Sequence, residues 1–257
     1  MIFETHAHYD DEVFNEDREQ LLAGLPEKGI GRVINVGASI ETTRTTLALA
    51  EAYDYIYAAV GVHPSDIDGL NEETYSWLKA QTAHPKTVAV GEIGLDYYWH
   101  KEKKEHEIQQ KMFRAQMEIA REEKLPFMIH SRDAAEDTLN IVREYMQGGM
   151  YGGIIHCFSY SREIAAEYLN MGLYLGIGGV VTFKNAKKLK EVVQYAPLSQ
   201  LVLETDCPYM APEPNRGKRN SSLYLPYVVQ AIAELKQVTP EEVIEVTREN
   251  THRLLGI

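Results

Sequence analysis

Ile2-Phe3-Glu4-Thr5-His6-Ala7-His8 stands at the start of the chain, and its reading decides the fold. The apolar pair Ile2-Phe3 begins a short strand that ends near His6. An open, doubly wound sheet that binds nucleotides carries Gly-x-Gly-x-x-Gly directly after its first strand. Here two histidines stand in that place. Alternate side chains of a strand share a face, so His6 and His8 point together and Ala7 points away. The later run Gly176-Ile177-Gly178-Gly179 lacks the third glycine, and there is no P-loop sequence.

Outward from that stretch, strand-like and helical runs alternate. Short β-branched runs recur at 32–36, 55–60, 87–90 (reaching Glu92), 127–129, 153–155, 174–177 and 201–203. Helical spacing fills 16–28, a segment capped by Ser39, then 71–81, 105–124, 133–146, 161–170, 186–195 and the stretch from Leu223 onward. That is about eight β-then-α units, the pattern of a parallel sheet with helices outside it. With 257 residues, 44% hydrophobic and 25% charged, and no linker-like stretch, the expected fold class is α/β, a TIM-type (β/α)8 barrel forming a single domain over 1–257.

Composition bounds the function. The formal net charge of -12 argues against a protein coated with positive charge for duplex DNA. It leaves room for a polyanionic substrate held at a cationic metal site. Two cysteines, Cys157 and Cys207, give no disulfide framework. No apolar run reaches membrane-spanning length, and Met1-Ile2-Phe3-Glu4 is unlike a signal peptide. A cytoplasmic location without a membrane partner is the expectation. Oligomeric state is left open.

Histidines and acids recur just past strand ends. They are His6 and His8 after the first, His63 after the third, Glu92 after the fourth, His130 after the fifth, His156 after the sixth and Asp206 after the eighth. In a barrel all these ends meet on one face, where active sites form. Imidazole and carboxylate suit zinc, manganese or iron, and seven such groups suit two ions roughly 3.5–4 Å apart. A lone strand-end histidine is more often structural; the recurrence at six segments is what carries the reading. His84, His100, His106 and His252 fall elsewhere and read as solvent or packing residues. Cys157 and Cys207 adjoin predicted ligands, but nitrogen and oxygen donors already fill the set.

These residues carry a resemblance to the TatD family of metal-dependent deoxyribonucleases, within the amidohydrolase-like superfamily. The motifs are Glu4-Thr5-His6-Ala7-His8, Gly61-Val62-His63-Pro64 and Gly91-Glu92-Ile93-Gly94-Leu95-Asp96-Tyr97. His130-Ser131-Arg132, His156-Cys157-Phe158-Ser159 and Glu204-Thr205-Asp206-Cys207-Pro208 continue them over essentially the whole chain. The resemblance implies a TIM-type barrel and hydrolysis of DNA phosphodiesters. It implies two divalent metal ions, with Zn, Mn, Mg and Fe not distinguished. His6, His8, Glu92 and Asp206 would hold one ion, and Glu92, His130 and His156 the other, with Glu92 bridging. His63 would contact phosphate. The family pattern is broken at Tyr160, where glycine is usual, and at Ser221-Ser222, where Glu-Pro usually follows Asn220. Both breaks bear on the substrate groove and leave the ligand set intact.

The expected reaction is attack on phosphorus by a metal-activated water, with Asp206 taking its proton and Glu92 and His63 completing the catalytic set. Arg216, Lys218 and Arg219 are the expected phosphate-binding side chains. Lys184, Lys187 and Lys188 form a second, weaker cluster. Glu204 and Asp96 either orient ligands or pair with a basic side chain. Tyr97, Tyr98 and Trp99 either stack on bases or close an apolar rim. DNA, single-stranded or at strand ends, is the expected partner. The alternative is a hydrolase of small esters, lactones or amides on the same centre.

Overall fold

The computed structural model describes residues 1–257. The strands and helices run in chain order as β1 Ile2–Ala7, α1 Arg18–Gly24, β2 Ile30–Val36, α2 Ile40–Ala52, β3 Ile56–Val60, α3 Glu72–Gln81 and β4 Thr87–Asp96. They continue with α4 Lys103–Glu123, β5 Phe127–Arg132, α5 Ala135–Gln147, β6 Gly153–Ile155, α6 Arg162–Asn170, β7 Tyr174–Ile177, α7 Lys187–Tyr195, β8 Leu201–Leu203, α8 Leu225–Lys236 and α9 Pro240–Leu255. The eight strands make one sheet in the order β1 to β8, and a parallel bridge between Ala7 and Cys207 joins the first strand to the segment after the last. This is the (β/α)8 barrel that the alternation predicts.

By packing, the chain falls into two compact units. One comprises Met1–Asn35 with Cys157–Ile257, the other Val36–His156. In the first, β1 is buried along its whole length and α9 packs against β1 and β8. Leu175, Ile177, Leu201, Val202, Val228 and Ile232 are buried there. In the second, α2 packs on β3, and α4 packs on β4. Ala59, Val60, Val90, Ile93 and Ile129 are among its buried side chains.

Local sequence explains the helix boundaries. Ser39 accepts the N–H of Thr42 while the Thr42 hydroxyl accepts that of Ser39, a reciprocal cap at the start of α2. Asn71 and Thr74 do the same for α3, and Thr239 with Pro240 starts α9. The predicted helix over 16–28 is shorter. Helix α1 ends at Gly24, and a 3-10 turn at Pro26–Lys28 follows, because proline brings no N–H to continue an α-helical ladder.

Strand β4 departs most from expectation: it runs ten residues to Asp96, past the predicted reach to Glu92. Inside a strand glycine marks close backbone approach. At Gly94, with φ +140°, a Cβ would collide with the His130 carbonyl. Register also slips between Val90↔Phe127 and Ile93↔Ile129, three residues against two, so β4 carries a bulge at Gly91-Glu92. Strand β1 carries the same irregularity between Glu4↔Val33 and Ala7↔Asn35, at Thr5-His6. Bulges re-aim side chains, and each of these holds a predicted metal ligand.

Candidate metal centre

In the first unit the ends of β1 and β8 are stitched by main chain. Asp206 donates its N–H to the His6 carbonyl at 2.9 Å, and His8 donates to the Cys207 carbonyl at 2.9 Å. Asp206 takes a left-handed backbone, φ +56°, a region that non-glycine residues visit rarely and aspartate tolerates best. This framework brings three predicted ligands together. The Nε2 atoms of His6 and His8 lie 3.2 Å apart, and Asp206 Oδ1 lies 3.9 and 3.4 Å from them. Two imidazole nitrogens that close need a proton or a cation between them, and the neighbouring carboxylate favours either.

A buried carboxylate underlies this arrangement. Glu4 accepts from the N–H groups of His6 (3.2 Å) and Thr205 (2.8 Å), and from the hydroxyls of Thr205 (2.7 Å) and Ser222 (3.0 Å). Burial pushes its carboxyl up to about 8 against these bonds. Tyr9 closes the network, donating its hydroxyl to Ser222 at 2.7 Å. Ser222, a departure from the family pattern, is thus a working member of a buried network. Glu204 is buried too. It accepts the N–H of Cys157, and its carboxylate fills the space that a Cβ on Gly176 would need.

In the second unit Glu92 is the focus. Its Oε1 lies 2.8 Å from His156 Nε2, 2.9 Å from His130 Nδ1 and 3.6 Å from His63 Nε2. Burial opposes its charge, but His156 and His63, with hydrogen bonds from His130 and His156, outweigh it and hold the carboxyl well below the usual range. Glu92, His63 and His130 bring ligand atoms within 4.8 Å of one another. Imidazoles converging on one buried carboxylate oxygen are the donor chemistry of a transition-metal site, so these residues fit a divalent ion.

The histidines are themselves oriented. His130 Nε2 meets Asp96 Oδ2 at 3.2 Å, so Asp96 pairs with a predicted ligand. Burial would lower the His130 pKa, but Asp96 and Glu92 raise it overall. His63 Nδ1 accepts the N–H of Ser65 at 3.0 Å, and burial and the nearby His130 lower its pKa to about 3. A neutral ring whose Nδ1 accepts carries its proton on Nε2, toward Glu92. His63 therefore presents a donor there, suited to a phosphate oxygen rather than to a metal.

Two positioning residues escaped the sequence reading. Gln109 and Gln116 are buried on α4, seven residues apart and so on one helix face. Gln109 accepts from the Asp96 N–H (2.9 Å) and donates to its carbonyl (3.0 Å). Gln116 does the same for Val62, beside His63, at 2.7 and 3.0 Å. Paired polar residues at heptad spacing inside an apolar face were the available signal.

The predicted phosphate-binding side chains are exposed, but they differ. Arg219 puts two nitrogens on Asp17 at 2.8 and 2.6 Å and donates to the Val13 carbonyl at 2.9 Å. Arg216 lies over the Phe183 ring at 4.4 Å, and Lys218 Nζ reaches only Asn215, at 3.4 Å. His84 and His100 meet Glu51 and Glu105, His106 stacks on Tyr97 and His252 packs edge-on to Phe3, as expected of residues outside the centre.

A family profile described as TatD related DNase matches residues 3–256. The chain is 46% identical over 257 residues to a protein of Bacillus subtilis (strain 168) named as the metal-dependent hydrolase YabD, covering 100% of each. It is 30% identical over 261 residues to the 3'-5' ssDNA/RNA exonuclease TatD of Citrobacter rodentium, covering 100% of this chain and 98% of that one. Among solved structures, the TatD homologue YJJV of Escherichia coli K12 superposes with a TM-score of 0.92 at 30% identity, over 100% of this chain and 98% of the other.

Proposed function

The chain belongs to the TatD-related DNase family and is a metal-dependent hydrolase, and from that premise we propose that it hydrolyses phosphodiester bonds of DNA, in single strands or at strand ends. The observation that carries this reading is the Glu92 carboxylate oxygen with His130 and His156 nitrogens at 2.9 and 2.8 Å and a proton-bearing His63 at 3.6 Å. A relative named as a single-strand exonuclease supports the substrate class. One domain spanning 1–257 acts in the cytoplasm, in keeping with two free cysteines. No helix is long and apolar enough to cross a membrane.

Two divalent ions are the proposed cofactor. His6, His8 and Asp206 would hold one; Glu92, His130 and His156 would hold the other. Divalent ions supply a water acidified to near neutral pH and positive charge against the phosphate. The chain's own groups do the rest. Asp206 accepts the proton of the attacking water. His63 donates from Nε2 to a phosphate oxygen. Asp96 keeps the His130 ring in place. Arg216 and Lys218 contact the flanking backbone, with Arg219 beside them.

The test is a substrate panel on metal-reconstituted protein: end-labelled single- and double-stranded oligonucleotides beside small carboxylic and phosphate esters and lactones. Shortened DNA is expected. Turnover confined to the small substrates would overturn the proposal in favour of a small-molecule hydrolase.

A further inference from the structure

The loop after β4 carries three aromatic residues that the metal centre does not use, and the structure divides them. Tyr97 turns into the protein. It stacks on His106 with ring centroids 3.6 Å apart, donates its hydroxyl to Asp137 and accepts from Gln110, both at 2.8 Å. Tyr98 and Trp99 turn out, 41% and 67% exposed. Their rings meet edge to face at 4.8 Å. The Arg132 guanidinium lies 3.9 Å from the Tyr98 ring centre and 5.6 Å from that of Trp99.

This shelf is built onto the centre. Asp96 is buried, and its two carboxylate oxygens divide their work. Oδ1 accepts the N–H groups of Tyr98 and Trp99 at 3.0 and 3.1 Å, while Oδ2 takes His130 Nε2 at 3.2 Å. Arg132 pairs with Asp96 in the sheet register and stands two residues beyond His130 on β5, about 6.6 Å further along the strand. The open Trp99 ring, braced by Tyr98 and with the Arg132 cation beside it, therefore lies one short step from a proposed metal ligand. An indole that merely sealed a rim would be covered; Trp99 is mostly bare.

We propose that Tyr98, Trp99 and Arg132 form a nucleobase shelf: an unpaired base next to the scissile phosphate stacks on the exposed Trp99 ring, which Tyr98 braces edge to face, and the Arg132 guanidinium meets the adjoining phosphate. The faces of a base inside a duplex are already covered by its neighbours, so the shelf selects single strands. The inference rests on the reading of DNA as substrate.

The test uses the two-tryptophan chain with Trp77 replaced by phenylalanine and excitation beyond the tyrosine band, so that Trp99 is the sole emitter. Chelated protein is titrated with oligothymidylate and with an abasic strand of equal length. Quenching by oligothymidylate only is expected; equal quenching by the abasic strand overturns the shelf. In the reconstituted enzyme, Trp99→Ala should raise KM for a single-stranded oligonucleotide about tenfold, with kcat within about twofold and abasic-strand turnover unchanged. Unchanged KM alongside normal wild-type DNA cleavage overturns the shelf alone. A wild-type enzyme that cuts no DNA but turns over a small ester overturns the substrate reading, and the shelf with it.

Discussion

Asp96→Asn probes the centre at its most defined point. The carboxylate only accepts, so it requires a proton on His130 Nε2, 3.2 Å away; when an ion is bound, Nδ1, 2.9 Å from Glu92, is then the nitrogen that gives up its proton to the metal. Asparagine is nearly isosteric, but the main-chain N–H groups of Tyr98 and Trp99, at 3.0 and 3.1 Å from Oδ1, hold its oxygen on their side. Its amide N–H₂ then faces His130 and demands an acceptor there. The imidazole must move its proton to Nδ1, the nitrogen that a metal needs bare. Loss of such an orienting partner costs about 10- to 100-fold in metal affinity, roughly 1.4–2.8 kcal/mol. Competition against a metallochromic chelator measures this directly. Urea unfolding of the metal-free protein serves as the control for folding. Metal affinity within twofold of wild type would refute the tautomer argument.

Other expectations follow from the same geometry. Asp206→Asn should abolish DNA turnover while leaving the far-ultraviolet circular dichroism unchanged; near-normal turnover would remove Asp206 as proton acceptor. Gln116→Met leaves the buried N–H and C=O of Val62 unpaired and should cost about 2–4 kcal/mol in urea unfolding, with less than about 0.5 kcal/mol contradicting the bracing role. Arg219→Ala should change KM for DNA less than Arg216→Ala, because Asp17 already occupies both guanidinium nitrogens. A larger effect at Arg219, read as KM against salt concentration, would reverse that ranking.

The sequence singled out the candidate ligand positions because each stands at the end of, or just beyond, a short apolar run. Composition alone excluded a duplex-coating basic protein. What it concealed was set by tertiary contact. The glycines at 91 and 94 bring β4 close against β5, and the strand runs on to Asp96. The bulges that hold His6 and Glu92 are register slips between strands, invisible to periodicity within either. Glu4 reads as one acid in a β run; only the fold supplies Thr205 and Ser222, some 200 residues away, to bury it. Asp17 is similarly remote from Arg219, so the basic cluster at 216–219 read as three equivalent cations. Tyr97, Tyr98 and Trp99 were one aromatic run until Asp137 and His106 claimed the first.

Cleavage of DNA through divalent ions held by this chain's histidines and carboxylates is the proposal on which the others depend. It is tested most directly by dialysing the protein against a chelator and presenting a labelled single-stranded oligonucleotide. Manganese or magnesium is then restored. The stripped protein should leave the strand intact, and shortened products should appear once metal returns. Cleavage that persists undiminished in the chelated protein would contradict it.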